Sequence, residues 1–283
     1  MFHRLGERDT REVGRFVQVF RGAHGPARLS LRATGNGTSV TATLDADAED
    51  LEPLAAAIPA AIGLDDPTHA AFAPDATTDP RRVLRDARAR AGGVRLVRVP
   101  WLYELLVSIV LQQRVAYVDA MRSYRWLLRT YGEPFEDGRV FCAPLTLSRL
   151  PPEAFREAGV DRERAERLRT VGRIARHLPR IAALGIEGAR AELAKVKGLG
   201  PWSIEHFLGA GLGDADALPT GDYWLPHQVA LALAGEPRAD DARMCALLEP
   251  LRPHRYRVLL WLMAAGVTPV RYGPRMKPAG PPR

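Results

Sequence analysis

The sequence predicts a small α+β unit followed by a larger all-α domain, and three observations carry that prediction. Apolar and polar residues alternate with a period of two in three short segments before residue 46, which is the pattern of half-buried strands. Beyond about residue 80 the apolar spacing changes to that of helices. A chain of 283 residues is also long enough for two domains, each with its own core. The expected boundaries are 1–75 for the α+β unit with its linker and 76–283 for the all-α domain with a basic tail.

The strands are "RFVQVFRG", "ARLSLRAT" and "SVTATLDA", separated by turn formers at Gly22–Pro26 and Gly35–Gly37. "AEDLEPLAAAIPAAIGL" reads as a helix of about three turns, with Pro53 in its first turn and Pro59 as a late kink or stop. The unit ends near residue 65. "DDPTHAAFAPDATTDPRR" is rich in Pro, Asp and Thr and reads as a linker or wrapping loop.

In the second part, "VPWLYELLVSIVLQQRVAYVDAMRSYRWLLRTYG" suits one long helix or two abutting ones. "LPPEAFREAGV" is a short helix whose Pro152 and Glu153 fit a helix start. "DRERAERLRTVGRIARHL" is helical with a strongly basic face. "EGARAELAKV" and "WSIEHFLGA" flank a Gly/Pro turn, and "YWLPHQVALALAG", "DDARMCALLEPL" and "HRYRVLLWLMAAG" follow, giving eight to ten helices in all. The tail "RYGPRMKPAGPPR" is basic and Pro-rich, and it is expected to be mobile.

Composition narrows the function classes. The formal charge is +7, and lysine occurs only at 195, 197 and 277, so nearly all of the 40 basic residues are arginine. The arginine fork suits phosphate oxygens and a basic balance suits a polyanionic partner, although a GC-rich coding sequence would enrich arginine as well. Two cysteines, Cys142 and Cys245, lack zinc-site spacing and cannot supply four thiolates to an iron–sulfur cluster. Two buried free thiols are expected. No apolar run spans a membrane and the first residues carry no apolar secretory core, so a cytosolic protein is expected.

The most specific stretch is "VKGLGPWSIEHF", residues 196–207. Glycine removes the Cβ that would keep a ligand off the backbone, and Pro201 is pre-set for a first helical position. The amides of Gly198, Gly200 and Trp202 then lie near a helix start, where unpaired N–H groups and the helix dipole favour an anion. Lys195 and Lys197 stand just before it. An ordinary αα-turn with a glycine cap would use the same residues. Twenty residues after Trp202, Asp222 precedes an apolar helix and would cap the amides in "YWL".

Residues 196–207, followed by the Gly/Pro/Asp-rich loop "GLGDADALPTGDYWLPHQVA", resemble the helix-hairpin-helix–Gly/Pro–Asp superfamily of DNA glycosylases, and within it the 3-methyladenine DNA glycosylase II type. "LYELLVSIVLQQRV", "RPHRYRVLLWL" and the N-terminal α+β unit, which resembles a TATA-box-binding-protein-like domain, agree. The resemblance implies a monofunctional DNA glycosylase that flips alkylated purines out of damaged duplex DNA and hydrolyses their N-glycosidic bond.

It also implies roles for particular residues. Asp222 takes the catalytic position, beside the positive charge that develops on the sugar, where it also orients or deprotonates the attacking water. Asp214 and Asp216 are its nearby rivals. Trp202, His206 and Tyr223 match the base pocket. His206 stands where the family has a tyrosine, and Trp261 is offset from a pocket tryptophan whose matching place is nearer Met263. Gln113 matches the wedge that fills the space left by the flipped base, with Gln112 beside it, or Arg114 reaching a phosphate or the orphan base. Lys197, Gly198 and Gly200 match backbone contacts to DNA. The carbonyls of Ala194, Val196 and Leu199 match a monovalent cation site at the hairpin; no cofactor is required. No lysine lies between Lys197 and Asp222, which departs from the lyase branch. The expected state is a monomer on damaged double-stranded DNA, away from membranes. Two other readings use the same residues: a glycosylase of this fold for deaminated or oxidised purines, and a DNA-binding module without turnover.

Overall fold

The computed structural model describes residues 15–34, 39–66, 69, 86, 89, 94–136 and 138–268. Most of the linker and all of the basic tail beyond residue 268 lie outside these residues. The chain divides into two compact units, each made from separated stretches: 15–61 with 99–199, and 62–98 with 200–268 among the described residues.

The first unit opens with an antiparallel meander of β1 (Arg15–Arg21), β2 (Pro26–Thr34) and β3 (Ser39–Asp45). The register sets Phe20 opposite Ala27 and Leu29 opposite Leu44. Phe20, Ala27 and Leu29 are buried, as the alternation requires. β3 departs from the half-buried expectation: only Leu44 is partly covered and Val40 is 49% exposed. Helix α1 (Ala48–Ala61) follows and runs on past Pro59, which neither stops nor ends it. Its Asp50 is buried and accepts from the amides of Ala23 and His24 and from the His24 imidazole, tying α1 to the β1–β2 turn.

Helix α2 (Leu102–Leu111) is buried at every residue. Each of its leucines, isoleucines and valines contributes about 1.5–3 kcal/mol of burial. Trp101, just before it, packs on Phe20 with ring centroids 5.3 Å apart. The long apolar stretch is two helices, not one: α2 ends at Leu111 and α3 (Tyr117–Tyr131) begins after a five-residue break. A two-stranded ribbon, β4 (Glu133–Phe135) with β5 (Gly138–Val140), interrupts the expected all-α region. At three residues each, these strands are too short for alternation to register in the sequence. Then come α4 (Pro144–Arg149), α5 (Pro152–Glu157), α6 (Arg162–Ile174), a 3-10 turn, α7 (Leu178–Ala182) and α8 (Gly185–Ala194). Asp161 caps α6 by accepting from the Arg164 amide.

The second unit contains α9 (Pro201–Leu212), α10 (Leu225–Ala234), α11 (Asp241–Leu248), a 3-10 turn and α12 (Arg255–Ala264). Phe207, Val229, Met244, Leu248, Val258 and Leu259 are fully buried in it. Arg257 of α12 forms two hydrogen bonds of 2.8 Å to Asp66, and both side chains are almost fully buried. Asp66 also accepts from the Leu96 amide, so one carboxylate fastens two segments of the linker region to α12. Among the described residues no helix is long and apolar enough to cross a membrane. Both cysteines are free; Cys142 is buried and Cys245 only partly so.

Candidate active site

The Gly/Pro turn forms where the sequence places it. It leaves α8 through three tight backbone bonds, Lys195 to Glu192, Val196 to Leu193 and Leu199 to Val196. The two glycines have different reasons to be there. Gly198 has φ +94°, and a Cβ on it would lie 2.6 Å from Cγ of Arg167. The fold itself demands glycine at that position. Gly200 has φ −93°, and a Cβ on it would meet nothing within 4 Å. Nothing inside the protein requires a bare backbone at Gly200, so the open space faces outward. Lys197 is exposed, whereas Lys195 is paired with Glu192 at 2.6 Å. Ala194 ends α8, Val196 and Leu199 sit in the turn, and the Val196 carbonyl already accepts from the Leu199 amide at 3.1 Å. Uncharged carbonyl oxygens suit a monovalent cation better than a transition metal. Among the described residues no cluster of His, Cys, Asp or Glu could hold a metal ion.

The turn after α2 gathers the three residues expected at its tip. Gln112 folds back and donates to the carbonyl and hydroxyl oxygens of Ser108, both at 3.0 Å. Gln113 donates to the Gly198 carbonyl at 3.1 Å and accepts from Arg167 at 3.0 Å. Arg114 is exposed and has φ +57°, a conformation unusual for a long side chain. The basic face expected on α6 is partly turned inward. Arg164, buried, donates to the Leu111 carbonyl at the end of α2, and Arg169 donates to the Leu150 carbonyl.

In the second unit, Asp222 is anchored through both of its carboxylate oxygens. Its Oδ1 accepts from the amides of Trp224 at 2.6 Å and Leu225 at 2.9 Å, which caps α10 as its position suggests. Its Oδ2 accepts from the indole Nε1 of Trp202 at 2.7 Å. The rivals serve the fold. Asp216 makes a two-point ion pair with Arg255 and a further contact to Arg252, and Asp214 closes its own loop by accepting from the Asp216 amide.

Trp202, which donates to Asp222, belongs to one ring pair, and the neighbouring Tyr223 to another. Trp202 meets His206 edge to face with centroids 4.6 Å apart. His206 is buried, and burial pushes its imidazole down to about 4 against the opposing pull of the Asp222 carboxylate. It is therefore a neutral ring at physiological pH. Tyr223 is 63% exposed and meets Trp224 edge to face at 4.9 Å. The sequence marks Trp224 only as an amide to be capped, and its place next to Tyr223 in the chain is the one signal that the two rings meet. Trp261, by contrast, is 1% exposed and belongs to the core, while Met263 at the matching place is half-buried.

No family model matches the chain. Over 149 residues it is 25% identical to a DNA-3-methyladenine glycosylase of Bacillus subtilis, a match covering 49% of this chain and 48% of that protein. The chain thus spans about half the length of that curated relative. In structure it is similar to the 3-methyladenine DNA-glycosylase of Archaeoglobus fulgidus, with a TM-score of 0.72, 16% identity, and 89% and 87% of the two chains covered. It is also similar to the 8-oxoguanine glycosylase/lyase of Clostridium acetobutylicum in complex with duplex DNA, with a TM-score of 0.64, 16% identity, and 87% and 86% covered. At these identities the structural likenesses establish the fold.

Proposed function

We infer from kinship with the 3-methyladenine type of helix-hairpin-helix DNA glycosylase that this chain is a monofunctional glycosylase, which removes alkylated purines from duplex DNA and leaves an abasic site. The observation that carries the reading is Asp222, a carboxylate fixed at a helix start by two amides and the Trp202 indole, which packs on His206.

The chemistry follows from these groups. Breaking the N-glycosidic bond develops positive charge on the sugar, and a carboxylate already in place stabilises it without reorganising. Asp222 then orients water toward the same carbon or takes its proton. An alkylated purine carries formal positive charge, so aromatic faces attract it beyond simple stacking. Trp202 and Tyr223 are the rings proposed to meet the extruded base, with the neutral His206 below Trp202. The turn at 112–114 is the segment proposed to enter the duplex once the base has left it. At the hairpin, Lys197 with the amides of Gly198 and Gly200 would meet a phosphate. A monovalent cation on the carbonyls of Ala194, Val196 and Leu199 would add positive charge toward it. No lysine between Lys197 and Asp222 could form a Schiff base, which supports hydrolysis without strand cleavage. The N-terminal sheet is proposed to correspond to the TATA-box-binding-protein-like unit of such enzymes, and the protein to act as a monomer.

The test is strand integrity. Methylated duplex DNA treated with the protein should break in mild alkali well beyond an untreated methylated control and stay intact before alkali is added. Breakage before alkali would contradict the monofunctional assignment; no breakage beyond the untreated control would contradict the activity.

A further inference from the structure

Trp202 does more in this structure than present a face. Its indole N–H reaches Oδ2 of Asp222 at 2.7 Å, across 20 residues of sequence. The two amides at the start of α10, those of Trp224 and Leu225, both land on Oδ1. They fix one oxygen and leave rotation about Cβ–Cγ, a broad and soft torsion in aspartate. Among the described residues, the indole alone pins the second oxygen. The indole is itself held in line. Trp202 packs edge to face on His206 at 4.6 Å, and His206 on Tyr256 at 6.5 Å with rings 78° apart. Tyr256 lies against Gly209, where a Cβ would fall 2.5 Å from the ring. A bare backbone on α9 therefore admits Tyr256, Tyr256 backs His206, His206 sets the indole, and the indole sets the carboxylate.

We propose that Trp202 is a positioning residue, whose N–H holds Asp222 in the orientation that faces the developing charge. This rests on the glycosylase reading above. The bond is charge-assisted and lies in a half-buried site, so its loss frees an oxygen that electrostatic catalysis needs fixed.

Trp202→Phe keeps a flat aromatic face and removes the donor. Two measurements test the proposal. The first is a double-mutant cycle on unfolding, with Trp202→Phe and Asp222→Ala singly and together; it needs no activity. A coupling of about tenfold in the unfolding equilibrium is expected, the size of a hydrogen bond to a charged group. Additive effects would overturn the proposal. The second is single-turnover excision from methylated duplex DNA. Trp202→Phe should lower the rate tenfold or more and leave affinity for the lesion within twofold of wild type. Trp202→Leu, which loses the face as well, should lose affinity too. A wild-type rate in Trp202→Phe, or a defect confined to affinity, would overturn it. Should Trp202→Phe fail to fold, a tryptophan analogue with sulfur in place of the indole N–H at position 202 replaces it in both measurements. Failure of wild type to release any base would instead count against the glycosylase reading, leaving the unfolding cycle to decide the role of Trp202.

Discussion

The side-chain amide of Gln113 donates to the carbonyl of Gly198 at 3.1 Å, joining the turn after α2 to the Gly/Pro hairpin 85 residues later. Arg167 completes the link: its guanidinium donates to Oε1 of Gln113 and to Glu163, and its stem fills the space that a side chain on Gly198 would need. Of the two segments proposed to touch DNA in the first unit, each is therefore held by the other. Entry of Gln113 into a duplex would exchange these two bonds for contacts with DNA.

Gln113→Ala should cost about 1–2 kcal/mol of stability, since two partly buried hydrogen bonds go with it. Urea denaturation measures this. A variant as stable as wild type would mean that Gln113 is a solvated tip.

The hairpin glycines should separate fold from binding. Gly198→Ala should destabilise by about 1–2 kcal/mol or more, because φ +94° and the contact with Arg167 both oppose a Cβ. Gly200→Leu should leave the thermal midpoint nearly unchanged, since nothing stands within 4 Å, yet weaken binding to any duplex. Equal affinity in Gly200→Leu would mean that DNA does not approach there.

The buried pair of Asp66 and Arg257 gives the largest expected stability effect. Arg257→Met leaves Asp66 buried without its partner and should cost about 3–5 kcal/mol. Combining it with Asp66→Asn should recover part of that loss. The urea midpoints of the single and double variants check both statements.

Glu104 should make stability depend on pH. It is fully buried, its Oε1 accepts from the Arg21 amide, and Oε2 has no partner among the described residues. Burial raises its carboxyl from 4.5 to about 7. A raised folded value means that the stabilising contribution is complete below 4.5 and is lost as pH rises through 7. Glu104→Gln keeps an acceptor for Arg21 and cannot ionise. Relative to wild type it should gain up to about 3 kcal/mol at pH 8 and nothing at pH 4. Parallel pH profiles for the two proteins would show that Glu104 is not protonated in the fold.

The local features were legible in the sequence because their signals are local. The three strands, the break near Pro201 and the cap at Asp222 each follow from residue type and spacing within a few positions. The link from Trp202 to Asp222 was not legible, because a 20-residue separation says nothing about where an indole points. The same holds for Gln113 with Gly198 and for Asp66 with Arg257, 191 residues apart. The arginines of α6 are a case where residue type does not show direction. A basic stripe reads as a solvated or DNA-facing surface, yet Arg164 and Arg169 spend their donors on the carbonyl ends of neighbouring segments.

The most direct measurement is release of free base from methylated duplex DNA by wild type and by Asp222→Asn, with the products resolved by chromatography. The account predicts that wild type frees 3-methyladenine or 7-methylguanine. It predicts that Asp222→Asn still binds the duplex but is slower by about 100-fold or more, the usual cost of removing electrostatic stabilisation from a transition state. Release at the wild-type rate by Asp222→Asn would contradict the assignment of the catalytic carboxylate, and no release by wild type would contradict the activity.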